Sequence, residues 1–133
     1  MHGRAPRPWF TVEVKLFLLA LAGAAGALVR YGIGVAVGDR SFPWATFGIN
    51  VTGAFILGFV LAIGVERKWP ETMLLPISVG FLGAYTTFST FSYETFTLLR
   101  TDRAPTAVLY VVASVLGGVL AAAAGYATAR RVA

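Results

Sequence analysis

The sequence predicts an all-α membrane protein with four transmembrane helices, the third of them broken. Three observations carry that expectation. The 133-residue chain is 57% hydrophobic and only 13% charged, a composition of membrane rather than soluble domains. Its apolar residues fall into four long runs separated by short polar turns. Inside the third run, residues 80–94 read GFLGAYTTFSTFSYE, with glycine beside a cluster of hydroxyls. Lipid offers no water to satisfy such groups, so they need internal partners or a wet cavity.

Residues 1–13 form a polar tail with Arg4 and Arg7. The first helix is expected at about 14–37. Its apolar core, interrupted only by Arg30, is long enough at ~1.5 Å per residue to cross a ~30 Å hydrocarbon layer. Arg4, Arg7 and Lys15 ahead of LFLLALAGAAGA also fit a signal peptide, but Arg30 and Tyr31 lie within a continuing apolar run. A second helix is expected at about 44–65. It holds one amide, Asn50, and starts at an interfacial Trp44. The third is expected at about 72–99, with a break near 83–87. Pro105 suits the first turn of a fourth helix, at about 105–128. The length allows one domain, 1–133.

With four spans both termini lie on one side. That side collects Arg4, Arg7, Lys15, Arg67, Lys68, Arg130 and Arg131, against Arg40, Arg100 and Arg103 in the opposite loops. Counting loops alone, the sides nearly balance, as expected of a protein that inserts both ways. The net charge of +5 therefore speaks of topology, not of nucleic acid. There is no cysteine and one histidine, His2, so neither disulfides nor a histidine or thiolate metal cluster is possible. No nucleophile–base pair lies in the spans, and no enzyme is expected. Ala20, Gly23, Gly26, Ala27 and Gly34, and Gly117, Ala121 and Gly125, let backbones approach closely. They serve packing within one chain or between copies, and a four-helix bundle is thin for enclosing an ion path.

Depth along the helices places four polar residues at one level. Arg30, Asn50, Glu94 and Tyr110 each lie roughly 7–10 Å from the membrane face opposite the termini. Intramembrane ionisable groups face a wet cavity or each other. A vestibule is expected there, with Arg30 attracting anions and Asn50 donating N–H groups. In the bland alternative Arg30 snorkels and Asn50 ties two helices together. Glu94 either pairs with Arg30 or bonds Thr90 one turn back. Ser114 continues the face of Tyr110, and Gly118 and Ala122 follow without hydroxyls. Phe88 and Phe91 share a face just after the break. The positive edges of their rings can face a small, partly dehydrated anion without trapping it.

Residues 80–94, with GALVRY at 26–31 and FGINVTGAF at 47–55, resemble the Fluc (CrcB) fluoride channel family over essentially the whole chain. The resemblance implies an antiparallel, dual-topology homodimer in the membrane of a prokaryotic cell. Two passive fluoride pathways would run between its subunits. It implies that fluoride entering as HF is exported. It implies a pathway through Arg30, Asn50, Phe88, Phe91, Tyr110 and Ser114; Ser89 and Glu94 are further candidates for it from their place in the polar stretch, Glu94 with a purely structural role as the alternative. It also implies a structural sodium ion on the two-fold axis, held by the backbone carbonyls of Gly83 and Thr86. The sequence departs from the family's polar track at Gly118 and Ala122. The rival is a small multidrug-type, proton-coupled transporter, which needs a carboxylate in the first helix, where this chain has Arg30.

Overall fold

The computed structural model describes residues 8–132; His2, Arg4 and Arg7 lie outside the described residues. The described chain is helical throughout: α1 (Pro8–Val37), α2 (Trp44–Glu66), α3 (Glu71–Leu75), a π-helical segment (Pro76–Leu82), α4 (Gly83–Tyr85), α5 (Phe88–Arg100) and α6 (Ala104–Val132). Val12–Val37, Trp44–Glu66, Glu71–Arg100 and Ala104–Val132 are each long and apolar enough to cross a membrane. The chain is a multi-pass membrane protein. α1 begins well ahead of the expected residue 14.

Local chemistry sets the turns. α1 ends at Gly38 in the left-handed region (φ 64°), where only glycine is free of a Cβ penalty. Two residues past the ends of α2 and α5, Lys68 (φ 51°) and Asp102 (φ 58°) take the left-handed conformation as well. The next N–H in each case reaches back five residues, Trp69 to the Gly64 carbonyl (2.8 Å) and Arg103 to that of Leu98 (2.9 Å). The pattern satisfies carbonyls the helix end leaves bare.

The third span is not one regular helix. Pro76 has no N–H for the carbonyl four residues back and its ring crowds that carbonyl. The backbone widens into π-helix from Pro76 to Leu82, a form common at functional sites and absent from the sequence expectation. After α4, Thr86 (φ −77°, ψ 158°) and Thr87 (φ −150°, ψ 115°) are extended, and helix resumes at Phe88.

α1 lies along the π segment and α4, α2 lies along α6, and α5 packs on α6. Glycines make the close approaches. A Cβ on Gly26 would collide with the Phe81 carbonyl, one on Gly125 with that of Phe55, and one on Gly58 with that of Ala122. Gly26 and Gly125 thus serve packing within the chain. Among the described residues, a Cβ at Gly34, Gly83 or Gly118 would meet nothing within 4 Å beyond its own helix. Among the described residues the core is three small clusters, around Ile49/Leu82/Tyr85, Ala62/Ile63/Ala129 and Leu98/Ala107/Tyr110. Large apolar side chains such as Phe17, Leu28, Phe88 and Leu120 are exposed, as suits a body surrounded by lipid or by another copy.

Candidate ion site

Tyr110 is fixed first. Its side chain is fully buried, with the rings of Phe42 and Phe91 at centroid distances of 5.4 and 5.0 Å. Its hydroxyl donates to Glu94 Oε2 at 2.7 Å. The other carboxylate oxygen accepts from Thr46 Oγ1 at 2.9 Å. Glu94 on α5 is thus held from α2 and from α6. The two expected partners, Arg30 and Thr90, are not the ones it bonds. Each carboxyl oxygen thus accepts from one hydroxyl.

Arg30 is half-buried and lines a cleft with Thr46, Thr87, Thr90 and Glu94. Among the described residues its guanidinium has no ion-pair partner. A second cleft, toward the loops, also reaches Glu94 and carries Arg40 and Arg103. Arg103 is tied to the Ser41 carbonyl and Arg40 to that of Val37. Glu94 therefore stands between two clefts, each with a cationic wall.

Asn50 sits one helical turn past Thr46 on α2 and reaches the break. Its Nδ2 donates to the Thr87 carbonyl (3.1 Å), and its Oδ1 accepts from the Thr87 N–H (2.8 Å). The amide so pairs with both polar groups of one extended residue, and one Nδ2 hydrogen remains. Thr87 also caps α5: its Oγ1 accepts from the Thr90 N–H (3.1 Å) and lies 3.0 Å from Thr90 Oγ1 and 3.2 Å from Ser89 Oγ. That is the usual work of threonine at a helix start.

Phe88 and Phe91 have ring centroids 5.9 Å apart. They differ in setting: Phe91 packs on Tyr110, whereas Phe88 is 79% exposed. Phe88 shares a cleft with Asn50, Gly83, Thr86 and Thr87. Thr86 turns its hydroxyl back to the Leu82 carbonyl (2.9 Å) and its methyl toward Gly53, which has no room for a Cβ. Ser114 Oγ is buried without a hydrogen-bond partner among the described residues. At Gly118 no atom replaces the missing side chain.

The structure thus joins Glu94 directly to Tyr110, and Asn50 to the break. It places Arg30 in the same cleft as Glu94 with no ion pair or hydrogen bond between them. Sequence reasoning missed Thr46, 4% exposed. The signal was its place four residues before Asn50, on the same face of α2. It also missed Thr52, whose hydroxyl lies 2.9 Å from that of Tyr85.

Known proteins share this sequence pattern. The family described as CrcB-like protein, Camphor Resistance (CrcB), matches residues 17–126. The Fluoride-specific ion channel FluC 2 of Clostridium acetobutylicum is 43% identical over 107 residues, 78% of this chain and 88% of that protein. The Fluoride-specific ion channel FluC of Acidobacterium capsulatum is 42% identical over 123 residues, 90% of this chain and 98% of its own length. A Fluoride-specific ion channel FluC of Thermus thermophilus is 40% identical over 115 residues, covering 84% of this chain and 91% of that protein.

Proposed function

The chain belongs to the CrcB family, and from that membership we propose that it is a fluoride-selective ion channel exporting fluoride passively across the cell membrane. The observation that carries the reading is the hydroxyl-rich interruption at Thr86–Thr87 beside Phe88 and Phe91. A small anion holds its water strongly, and losing it costs many kcal/mol by Born reasoning. Permeation needs replacement ligands that do not hold too tightly. Hydroxyls, the free Nδ2 hydrogen of Asn50 and ring edges of Phe88 and Phe91 are such ligands. Arg30, at the wall of the cleft, raises the local anion concentration. Ser89, Glu94, Tyr110 and Ser114 complete the pathway in this reading.

The working unit is an antiparallel homodimer. Support comes from the exposed Phe88, from the open glycine positions at Gly34, Gly83 and Gly118, and from the near-balanced loop charges. The C-terminal end of α4 leaves backbone carbonyls without helix partners, and Gly83, which is exposed, lines one cleft with Thr86. These hard oxygens fit a hard cation. The carbonyls of Gly83 and Thr86 would hold sodium between two copies. Such an ion supplies positive charge that holds the two breaks together.

Purified protein in liposomes loaded with fluoride tests the function. Efflux read by a fluoride electrode exceeds that from protein-free liposomes if the reading is right. Equal rates contradict it.

A further inference from the structure

We propose that Asn50 is the positioning residue that releases the Gly83 carbonyl from the helix and so makes it available as a cation ligand. The inference rests on the cation site of the proposed function and adds its cause. In an unbroken helix the Thr87 N–H would donate to the carbonyl four residues back, that of Gly83. Here that N–H donates instead to Asn50 Oδ1 at 2.8 Å. The side chain has taken the place of a backbone acceptor. Its own Nδ2 returns a hydrogen bond to the Thr87 carbonyl at 3.1 Å, so Thr87 is gripped at both ends in an extended conformation (φ −150°, ψ 115°).

The energetics favour this arrangement only while the amide is present. A backbone N–H in lipid must have an acceptor. Without Asn50 the nearest one the helix offers is the Gly83 carbonyl itself, and bonding it closes the break. Thr86 does not compete, since its N–H and hydroxyl both serve the Leu82 carbonyl (3.0 and 2.9 Å). The swap therefore acts on one carbonyl. Gly83 is itself exposed and lines the cleft it shares with Asn50, Thr87 and Phe88, so a carbonyl released there is within reach of a ligand. Asn50 is held in reach by α2, where Gly53 lies one turn on, against the Thr86 methyl.

The test measures sodium-dependent stability of the full-length protein in detergent. Thermal unfolding is followed as sodium replaces N-methylglucamine at constant ionic strength. Asn50→Leu removes the acceptor and should raise the half-saturating sodium concentration about tenfold or more, the usual scale for losing a group that orients a metal ligand. Asn50→Asp keeps an oxygen at the acceptor position and should retain the sodium response. A purely structural role for Asn50 would lower the unfolding temperature of both variants and leave the sodium midpoint unmoved. An unmoved midpoint in Asn50→Leu overturns the inference. If that variant does not fold, a loss of the sodium response in Asn50→Asp overturns it, and retention supports it. Wild-type protein that ignores sodium sinks the cation site itself. That failure is distinct from an Asn50→Leu variant responding as wild type does.

Discussion

Glu94 accepts from Thr46 and from Tyr110 in a part-buried site, so its surroundings suit an acceptor. Glu94→Gln turns an N–H toward one of the two donors. Thr46→Val removes one donor with little change of shape. Each should cost about 1–2 kcal/mol, the upper range for hydrogen bonds between membrane helices; unfolding in mixed micelles measures it. The paired phenylalanines should separate in the same assay. Phe91→Ile loses the ring contact with Tyr110, worth about 0.5–1.5 kcal/mol. Phe88→Ile, at an exposed position, should leave the stability of the single chain unchanged. In the proposed function both abolish fluoride flux, so normal flux in Phe88→Ile would remove that ring from the pathway. At this scale the sequence was legible in part. The common depth of Glu94 and Tyr110 followed from counting residues along helices, but their direct bond did not. Thr46 stayed hidden because a threonine in an apolar run carries no charge to draw notice. Which acceptor it serves is settled by the crossing of α2, α5 and α6.

The helices themselves were readable because a membrane span is written in length and composition. Their interruptions were not equally readable. Glycine and clustered hydroxyls mark a weak point, but the hydrogen bonds that hold Thr87 come from Asn50, far away in sequence. The π segment after Pro76 was missed because proline in an apolar run permits a kink, a bulge or a helix start. Small residues were likewise ambiguous in sequence, and contacts now divide them. Gly125→Val drives a side chain into the Phe55 backbone, which cannot yield as a side chain can. It should destabilise the α2–α6 pair by at least ~1–3 kcal/mol. Gly118→Ala meets open space and should leave chain stability within ~0.5 kcal/mol. Equal losses in the two would show that the α2–α6 contact is not the close one.

A single chain offers small core clusters and wide apolar faces, and lipid or a second copy must cover those faces. The antiparallel homodimer of the proposed function predicts a particular cross-linking result. Cysteines introduced into this cysteine-free chain at Gly34 and Gly118, open positions on α1 and α6, should join copies of opposite orientation. Products linking only like-oriented copies would contradict the pairing. Passive, selective passage of fluoride is tested most directly by the reversal potential of the current through a planar bilayer, with fluoride on one side and chloride on the other. The predicted result is a potential set by the fluoride gradient and indifferent to a pH difference. A potential that follows the proton gradient, as in a coupled transporter, or one that treats chloride and fluoride alike, would contradict it.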